Sequence, residues 1–294
     1  MMDNFLRPIY QEHASDSNTL GVLVMEKTKP TSPITDNFDV ILLIIINEAN
    51  QSWHVKHYEF AEKTAALHVV TENLLMKWID TSGYRRAVEW IIYGRVIFDR
   101  NEYISNLKDQ LRDFPYDKRD LRKVIEFGKL VKSYSEAKEL YESNEYKDAN
   151  SKILYSLHYL ARLAVIEKGY YPEVTVWRQV KQIDLEVYKL YEEFIESTEE
   201  MEKRIQLMLI AMDFVIKSRA RVSVKHLLDT MQSKDTPWVY GELKALPQVA
   251  SYTLDLTAII SYMVEKNIIE IVKEETKGYG VYHRMYVVNN DAPF

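Results

Sequence analysis

The stretch Leu20-Gly-Val-Leu-Val-Met-Glu26, the polar loop Lys27–Asp36 and the run Asn37-Phe38-Asp39-Val40-Ile-Leu-Leu-Ile-Ile-Ile46 together decide the fold. Leu20–Glu26 reads as a strand. Phe38–Ile46 is a nearly continuous apolar, β-branched run, the mark of a strand covered on both faces. The loop between them delivers two carboxylates, Asp36 and Asp39, to the mouth of that buried strand. A carboxylate there is held rigidly and partly desolvated. Two that face the same way can share a pair of magnesium ions, which grip a nucleoside triphosphate and stabilise attack on its phosphorus.

Outward from this stretch the chain continues as a small mixed sheet flanked by helices over residues 1–115. Asp3–Ala14 reads as a helix, Trp53–Phe60 as a strand nearer an edge, and Ala66–Val70 as another strand. Thr71 is placed to cap a helix over Glu72–Asp80. A helix over Tyr84–Tyr93 is expected to stop at Gly94 through a left-handed cap, before a short strand Arg95–Phe98. From about Asp117 the apolar period becomes 3.6. Leu121, Val124, Ile125, Gly128 and Val131 share one helical face, and Ile153, Leu157, Leu160 and Ala164 another. Further helices over Asp184–Glu196 and Glu199–Ile216 complete a bundle over residues 116–219. Residues 220–294 read as helices Val222–Met231, Trp238–Leu246 (opened by Thr236-Pro237) and Leu254–Lys266, then strands Ile268–Glu274 and Val281–Val288. Three short helices and a hairpin make a winged helix-turn-helix.

Composition bounds the chemistry. The 294 residues exceed one ordinary domain, and 47% apolar with 28% charged residues is a globular balance. Only 8 glycines occur, and neither GxGxxG nor GxxxxGK[ST] is present. The absence of cysteine excludes thiolate zinc sites and a thiol nucleophile. The longest apolar run, Val40–Ile46, is far too short to span a membrane, and the N-terminus lacks a signal-peptide layout. The expected location is cytoplasmic. A net charge of −6 without a strongly basic segment gives no strong signal for nucleic acid.

Thr35-Asp36-Asn37-Phe38-Asp39-Val40-Ile41-Leu42-Leu43 resembles the second half of the metal-site motif of the polymerase-beta-like nucleotidyltransferases. Leu67-His68-Val69-Val70-Thr71 resembles the strand that supplies that family's third carboxylate, and Tyr93–Asp99 the segment that closes its domain. The whole order resembles a bacterial nucleotidyltransferase-like group with a helical substrate-binding-like bundle and a C-terminal helix-turn-helix. The resemblance implies an α+β multidomain fold, Mg2+ as cofactor and a nucleoside triphosphate (NTP) as ligand. It implies Asp36 and Asp39 as catalytic residues and the same two with His68 as metal ligands. The basic side chains Lys27, Lys29, Arg85 and Arg86 near the sheet mouth are candidates to hold the phosphates.

Three positions depart from that pattern. Glu26-Lys27 stands where the family has Gly-Ser. Asp36 and Asp39 are three apart, so in a regular strand they face opposite ways and only a bulge brings them together. His68 offers nitrogen where magnesium prefers oxygen. The expectation is a nucleotidyltransferase fold that binds a nucleotide or related small molecule with weak or no transfer. The alternatives are an active magnesium-dependent transferase and a ligand-sensing regulator acting through its winged helix. With strands at Leu20–Glu26, Phe38–Ile46, Trp53–Phe60 and Ala66–Val70, Asp39 and His68 are expected to lie side by side at one sheet edge. The aromatics Tyr155, Tyr159, Tyr170, Tyr171 and Trp177 are expected to gather near one helix end.

Overall fold

A computed structural model describes residues 2–60, 62–81, 83–112, 114 and 116–289. It divides the chain into two compact units, residues 1–115 with 169–175, and residues 116–168 with 176–294.

The first unit runs α1 (Met2–Ser15), β1 (Thr19–Glu26), β2 (Val40–Ile46), β3 (Trp53–Phe60), β4 (Lys63–Thr71), α2 (Glu72–Thr81), α3 (Arg85–Tyr93), β5 (Arg95–Asp99) and α4 (Tyr103–Arg112). Its sheet order is β3-β4-β2-β1-β5. β2 lies at the centre, antiparallel to β1 and parallel to β4. Central placement explains the uninterrupted apolar run, since side chains on both faces must leave water. Val40, Leu42 and Ile44 pack under Leu6, Ile9 and Tyr10 of α1. The alternate residues Ile41, Leu43 and Ile45 are buried on the other face, where α2 and α3 lie. β3 is the mostly exposed edge strand that its mixed sequence predicts.

Two details of this unit differ from expectation. β2 begins at Val40, so Phe38 and Asp39 belong to the loop. Gly94 is extended, at φ −65° and ψ 143°, where a left-handed cap was expected. Glycine is needed there for closeness: a Cβ would fall 2.2 Å from the Trp90 carbonyl oxygen, which accepts the Gly94 N–H.

The second unit comprises α5 (Tyr116–Glu142), α6 (Tyr146–Glu167), α7 (Val176–Ile183), α8 (Leu185–Glu196), α9 (Met201–Ser223), α10 (Lys225–Met231), β6 (Trp238–Val239), α11 (Tyr240–Ala245), α12 (Leu256–Glu265), β7 (Ile269–Glu275) and β8 (Tyr282–Val288). β6, β8 and β7 form the wing sheet in that order. Trp238 and Val239 therefore lie in a strand, paired with Tyr286 and Met285, and do not open a helix after Pro237. Helix α11 starts only at Tyr240. The bundle and the winged helix share one core, which runs from Phe127, Leu157 and Met212 through to Leu243, Leu256 and Met263.

Helix α12 lies along α5 at Gly128, where a Cβ would stand 2.9 Å from Ile259 Cδ1 and 3.1 Å from Asp255 Cβ. Tyr262 meets Phe127 edge-on at 5.7 Å. Lys132 pairs with Asp255 at 3.2 Å near one end of the contact, and Lys266 with Asp213 at 3.0 Å near the other. Residues 255, 259, 262 and 266 fall on one helical stripe, and that stripe faces the bundle.

Candidate functional site

The mouth forms where loop 27–39 returns from the end of β1 to the start of β2. The Lys27 N–H donates to the Asp39 carbonyl at 2.9 Å, and the Asp39 N–H to the Thr64 carbonyl at 3.0 Å. Asp36 and Asn37 both take left-handed φ angles, 50° and 66°, which short polar side chains tolerate. The Asn37 side-chain oxygen accepts from the Ser32 N–H at 2.9 Å. Helix α3 grips the loop from outside: Arg86 Nε donates to the Pro33 carbonyl at 2.7 Å and Trp90 Nε1 to the Ile34 carbonyl at 2.8 Å.

Each aspartate has its own partners. Asp39 Oδ2 accepts from the Thr64 N–H at 2.9 Å and from its hydroxyl at 3.3 Å. Asp39 Oδ1 stands 3.7 Å from Lys27 Nζ, which also donates to the Asn37 carbonyl at 3.1 Å. The Thr64 amide, opposed by desolvation and aided by Lys27, the Thr64 hydroxyl and Lys63, holds the Asp39 carboxyl below its ordinary value. Asp36 turns instead to Arg86, whose Nη2 lies 2.7 Å from Oδ1. The β1–β2 register is regular from Gly21–Ile45 to Glu26–Val40, so no bulge gathers the two carboxylates. The left-handed pair takes its place and hands Asp36 to α3.

His68 is not beside Asp39. On β4 the residue level with Asp39 is Thr64, and His68 lies four residues further on, opposite Leu43. At ~3.3 Å per residue that separates the two by roughly 13 Å along the strand. The even spacing leaves them on the same face, so the face was legible and the depth was not. Burial first and the His57 charge second lower the His68 pKa to about 4, so the ring is neutral. Its Nδ1 accepts from Trp53 Nε1 at 3.3 Å, and its ring lies 4.7 Å from that of Trp90. Trp53, Trp78, Tyr84 and Trp90 pack edge to face and tilted around it.

Of the four cations, the structure brings Lys27 and Arg86 to the mouth. Lys29 is exposed in the loop. Arg85 instead acts on Glu89, a residue that pattern reading passed over. Glu89 is 3% exposed, and it accepts a hydrogen bond from the Val174 N–H. Burial raises its pKa, the Val174 bond opposes that shift, and Arg85 and Arg86 oppose it more weakly. The available signal was a carboxylate set between Val88 and Trp90 on the apolar side of α3.

Magnesium asks for several oxygen ligands in near-octahedral order. Here one Asp39 oxygen is committed to Thr64, Asp36 is committed to Arg86, and β4 offers no carboxylate level with them. Among the described residues no group of three or more His, Asp or Glu side chains can hold a metal ion. The donor set does not fit a two-magnesium centre.

Two of the aromatics expected to gather near one helix end have ring partners within their own units. Tyr171 stacks on Phe114 at 4.0 Å in the first unit, while Trp177 stacks on Tyr191 at 3.8 Å in the second. The outward residues of α12 are Thr257, Ser261 and Glu265, with Leu254 just before it. None is a cation, and Arg, Lys, Asn and Gln are the usual readers of base edges.

A five-stranded mixed sheet with this carboxylate-bearing mouth, ahead of a helical bundle and a winged helix, defines a nucleotidyltransferase-like multidomain protein. Family models match in the same order: a nucleotidyltransferase-like domain over residues 2–119, a YgxA-like substrate binding domain over 120–219, and a helix-turn-helix domain over 225–288. The uncharacterized protein YgxA of Bacillus subtilis (strain 168) is 47% identical over 285 residues, 97% of each chain. The crystal structure of a nucleotidyltransferase-like protein from Exiguobacterium sibiricum 255-15 superposes with a TM-score of 0.80 at 38% identity. It covers 98% of this chain and 99% of its own. The chain belongs to the YgxA-like family of nucleotidyltransferase-like proteins. No helix among the described residues is long and apolar enough to cross a membrane.

Proposed function

We infer that this chain uses a nucleotidyltransferase-type fold to bind a nucleotide or related small molecule, with weak or no transfer of the nucleotide. The observation that carries this reading is the separate neutralisation of the two aspartates, Asp39 by Thr64 and Lys27 and Asp36 by Arg86. Transfer by two metals needs carboxylates turned to a common point with oxygens to spare. Binding needs less. Lys27 and Arg86 sit in pairs of 3.7 and 2.7 Å with side chains 17% and 33% exposed. A phosphate can draw such cations from their partners, since ion pairs that water still reaches are worth only about 0–1 kcal/mol. A cytoplasmic setting, where nucleotides are abundant, belongs to the same reading.

The test is isothermal titration of the full chain with the four triphosphates, with and without magnesium, beside a radiolabelled transfer assay. Binding that persists without magnesium and weakens on Lys27→Ala or Arg86→Ala, with no labelled product, is the expected result. Robust magnesium-dependent transfer abolished by Asp39→Ala would falsify the reading.

A further inference from the structure

At the other end of the first-unit sheet, where β2 and β4 finish, a cavity of about 500 Å3 opens beside the start of β1, the first turns of α2 and the beginning of α4. That volume falls in the range of small-molecule sites, roughly 300–1,000 Å3. It lies a full β2 length from the Asp39 mouth, roughly 23 Å at ~3.3 Å per residue. Glu72, Arg100 and Tyr103 supply its charged and phenolic groups, and Leu20, Met76 and Leu107 its apolar wall.

Three features set this cavity apart from an ordinary surface cleft. First, the Tyr103 hydroxyl is out of contact with solvent and looks to the Glu72 carboxylate on the same cavity wall. Buried polar atoms nearly always find a partner, and a phenol that donates to Glu72 still has oxygen lone pairs to offer a ligand. Burial first, and the Glu72 carboxylate second, push its pKa far up, so the phenol keeps its proton and its oxygen remains an acceptor. Glu72 is the phenol's polar neighbour, acting on it both by its charge and by a side-chain hydrogen bond.

Second, Arg100 is fixed in place. Its Nε donates to the Thr19 carbonyl at 2.7 Å and its Nη2 to the Asp16 carbonyl at 2.9 Å, leaving Nη1 outside both bonds. Third, the chain between Arg100 and Tyr103 runs through two successive left-handed non-glycine residues, Asn101 at φ 51° and Glu102 at φ 59°. Such strain gathers at ligand sites, where it holds side chains in place. One cation and one carboxylate facing a single cavity select a ligand that carries both charges. A polyphosphate would meet Glu72 with repulsion.

We propose that this cavity binds a small zwitterion of amino-acid type. Its ammonium sits between the Glu72 carboxylate and the Tyr103 oxygen, its carboxylate meets Arg100 Nη1, and its apolar side chain lies against Leu20, Met76 and Leu107. The site is separate from the mouth and does not depend on how the mouth is read.

The test uses the full chain in thermal-shift and calorimetric titrations with the standard amino acids, their N-acetyl forms and their carboxamides. Amino acids with apolar side chains are expected to raise the melting temperature. Blocking either charged end, or Glu72→Gln, should weaken binding by about tenfold or more, the scale of one charge-assisted hydrogen bond. Tyr103→Phe should weaken it several-fold. Arg100 also anchors two backbone carbonyls, so the second probe is Asn106→Trp, which fills the cavity from an exposed helix position. Loss of binding in that variant with an unchanged circular dichroism spectrum supports the site. The proposal is overturned if no amino acid shifts the melting temperature, if blocked and free forms bind alike, or if Glu72→Gln and Asn106→Trp bind as tightly as the natural chain.

Discussion

The mouth of the first-unit sheet and helix α12 of the winged helix are the two places where the fold leads one to look for activity. In both, the groups on offer are already engaged within the chain, but by different forces. At the mouth the engagement is polar and partly exposed: Lys27 at 3.7 Å from Asp39, Arg86 at 2.7 Å from Asp36. Along α12 it is close packing, with Ile259 fully buried and seated over Gly128. Water and a charged ligand compete for ion pairs, whereas neither replaces a seated side chain. The mouth is therefore ready to exchange partners, and α12 is part of the core.

The widest gap between the two is expected in stability. Ile259→Ala should lower the unfolding free energy by roughly 3 kcal/mol, because it empties a filled contact. Urea denaturation of the full chain measures this, and a loss under about 1 kcal/mol would mean that α12 is not seated as described. The same packing predicts that duplex DNA is bound no tighter than about 10⁻⁶ M, the scale of unspecific charge contacts. Nanomolar, sequence-dependent retardation in a gel would undo the contrast from the other side.

His68 is the locked element of the first unit. Its folded pKa, about 4, lies below the ordinary histidine value of 6.5, so the neutral ring favours the fold above that value. As pH falls from about 6.5 towards 4, the unfolded chain takes up the proton first and stability declines, by roughly 3 kcal/mol in all. His68→Gln should flatten stability across that window. A ring proton that titrates near 6.5 by NMR would contradict the assigned burial.

A smaller effect is expected at Asp39. Its folded pKa is lowered, so its contribution is complete above the ordinary carboxylate value and fades as pH falls through the folded one. The natural chain should therefore lose ground to Asp39→Asn only below about pH 4, in parallel denaturation series. The smallest change belongs to the Lys132–Asp255 pair, whose lysine is 44% exposed. Lys132→Ala should cost under about 1 kcal/mol, which would show that packing, not charge, holds α12.

Much of the frame was legible in local pattern. The run Val40–Ile46 announced a central strand, and the stripe through Val124, Gly128 and Val131 announced α5. What escaped was set by distant partners. Asp39 looked like a metal ligand until the Thr64 amide, far along the chain, took one of its oxygens. Pro237 looked like a helix start because its neighbour Trp238 has a strand partner only at Tyr286. Helices α4 and α7 went unread: the cap of α4 is Asp99, which reaches the Ile104 and Ser105 amides across an irregular stretch, and α7, directly after Thr175, is only eight residues long. Gly94 invited a common explanation, and the real one is its nearness to the Trp90 carbonyl.

The notch at Gly128 also has a consequence in time. Its occupant, Ile259, lies about 130 residues later in the chain. At a synthesis rate of roughly 5–20 residues per second, α5 waits on the order of ten seconds on the ribosome before its cover is made. During that interval Phe127 and its neighbours stand open to water and to other nascent chains. A growing chain with such a long-standing apolar face is a natural client for chaperones, whatever the finished protein binds.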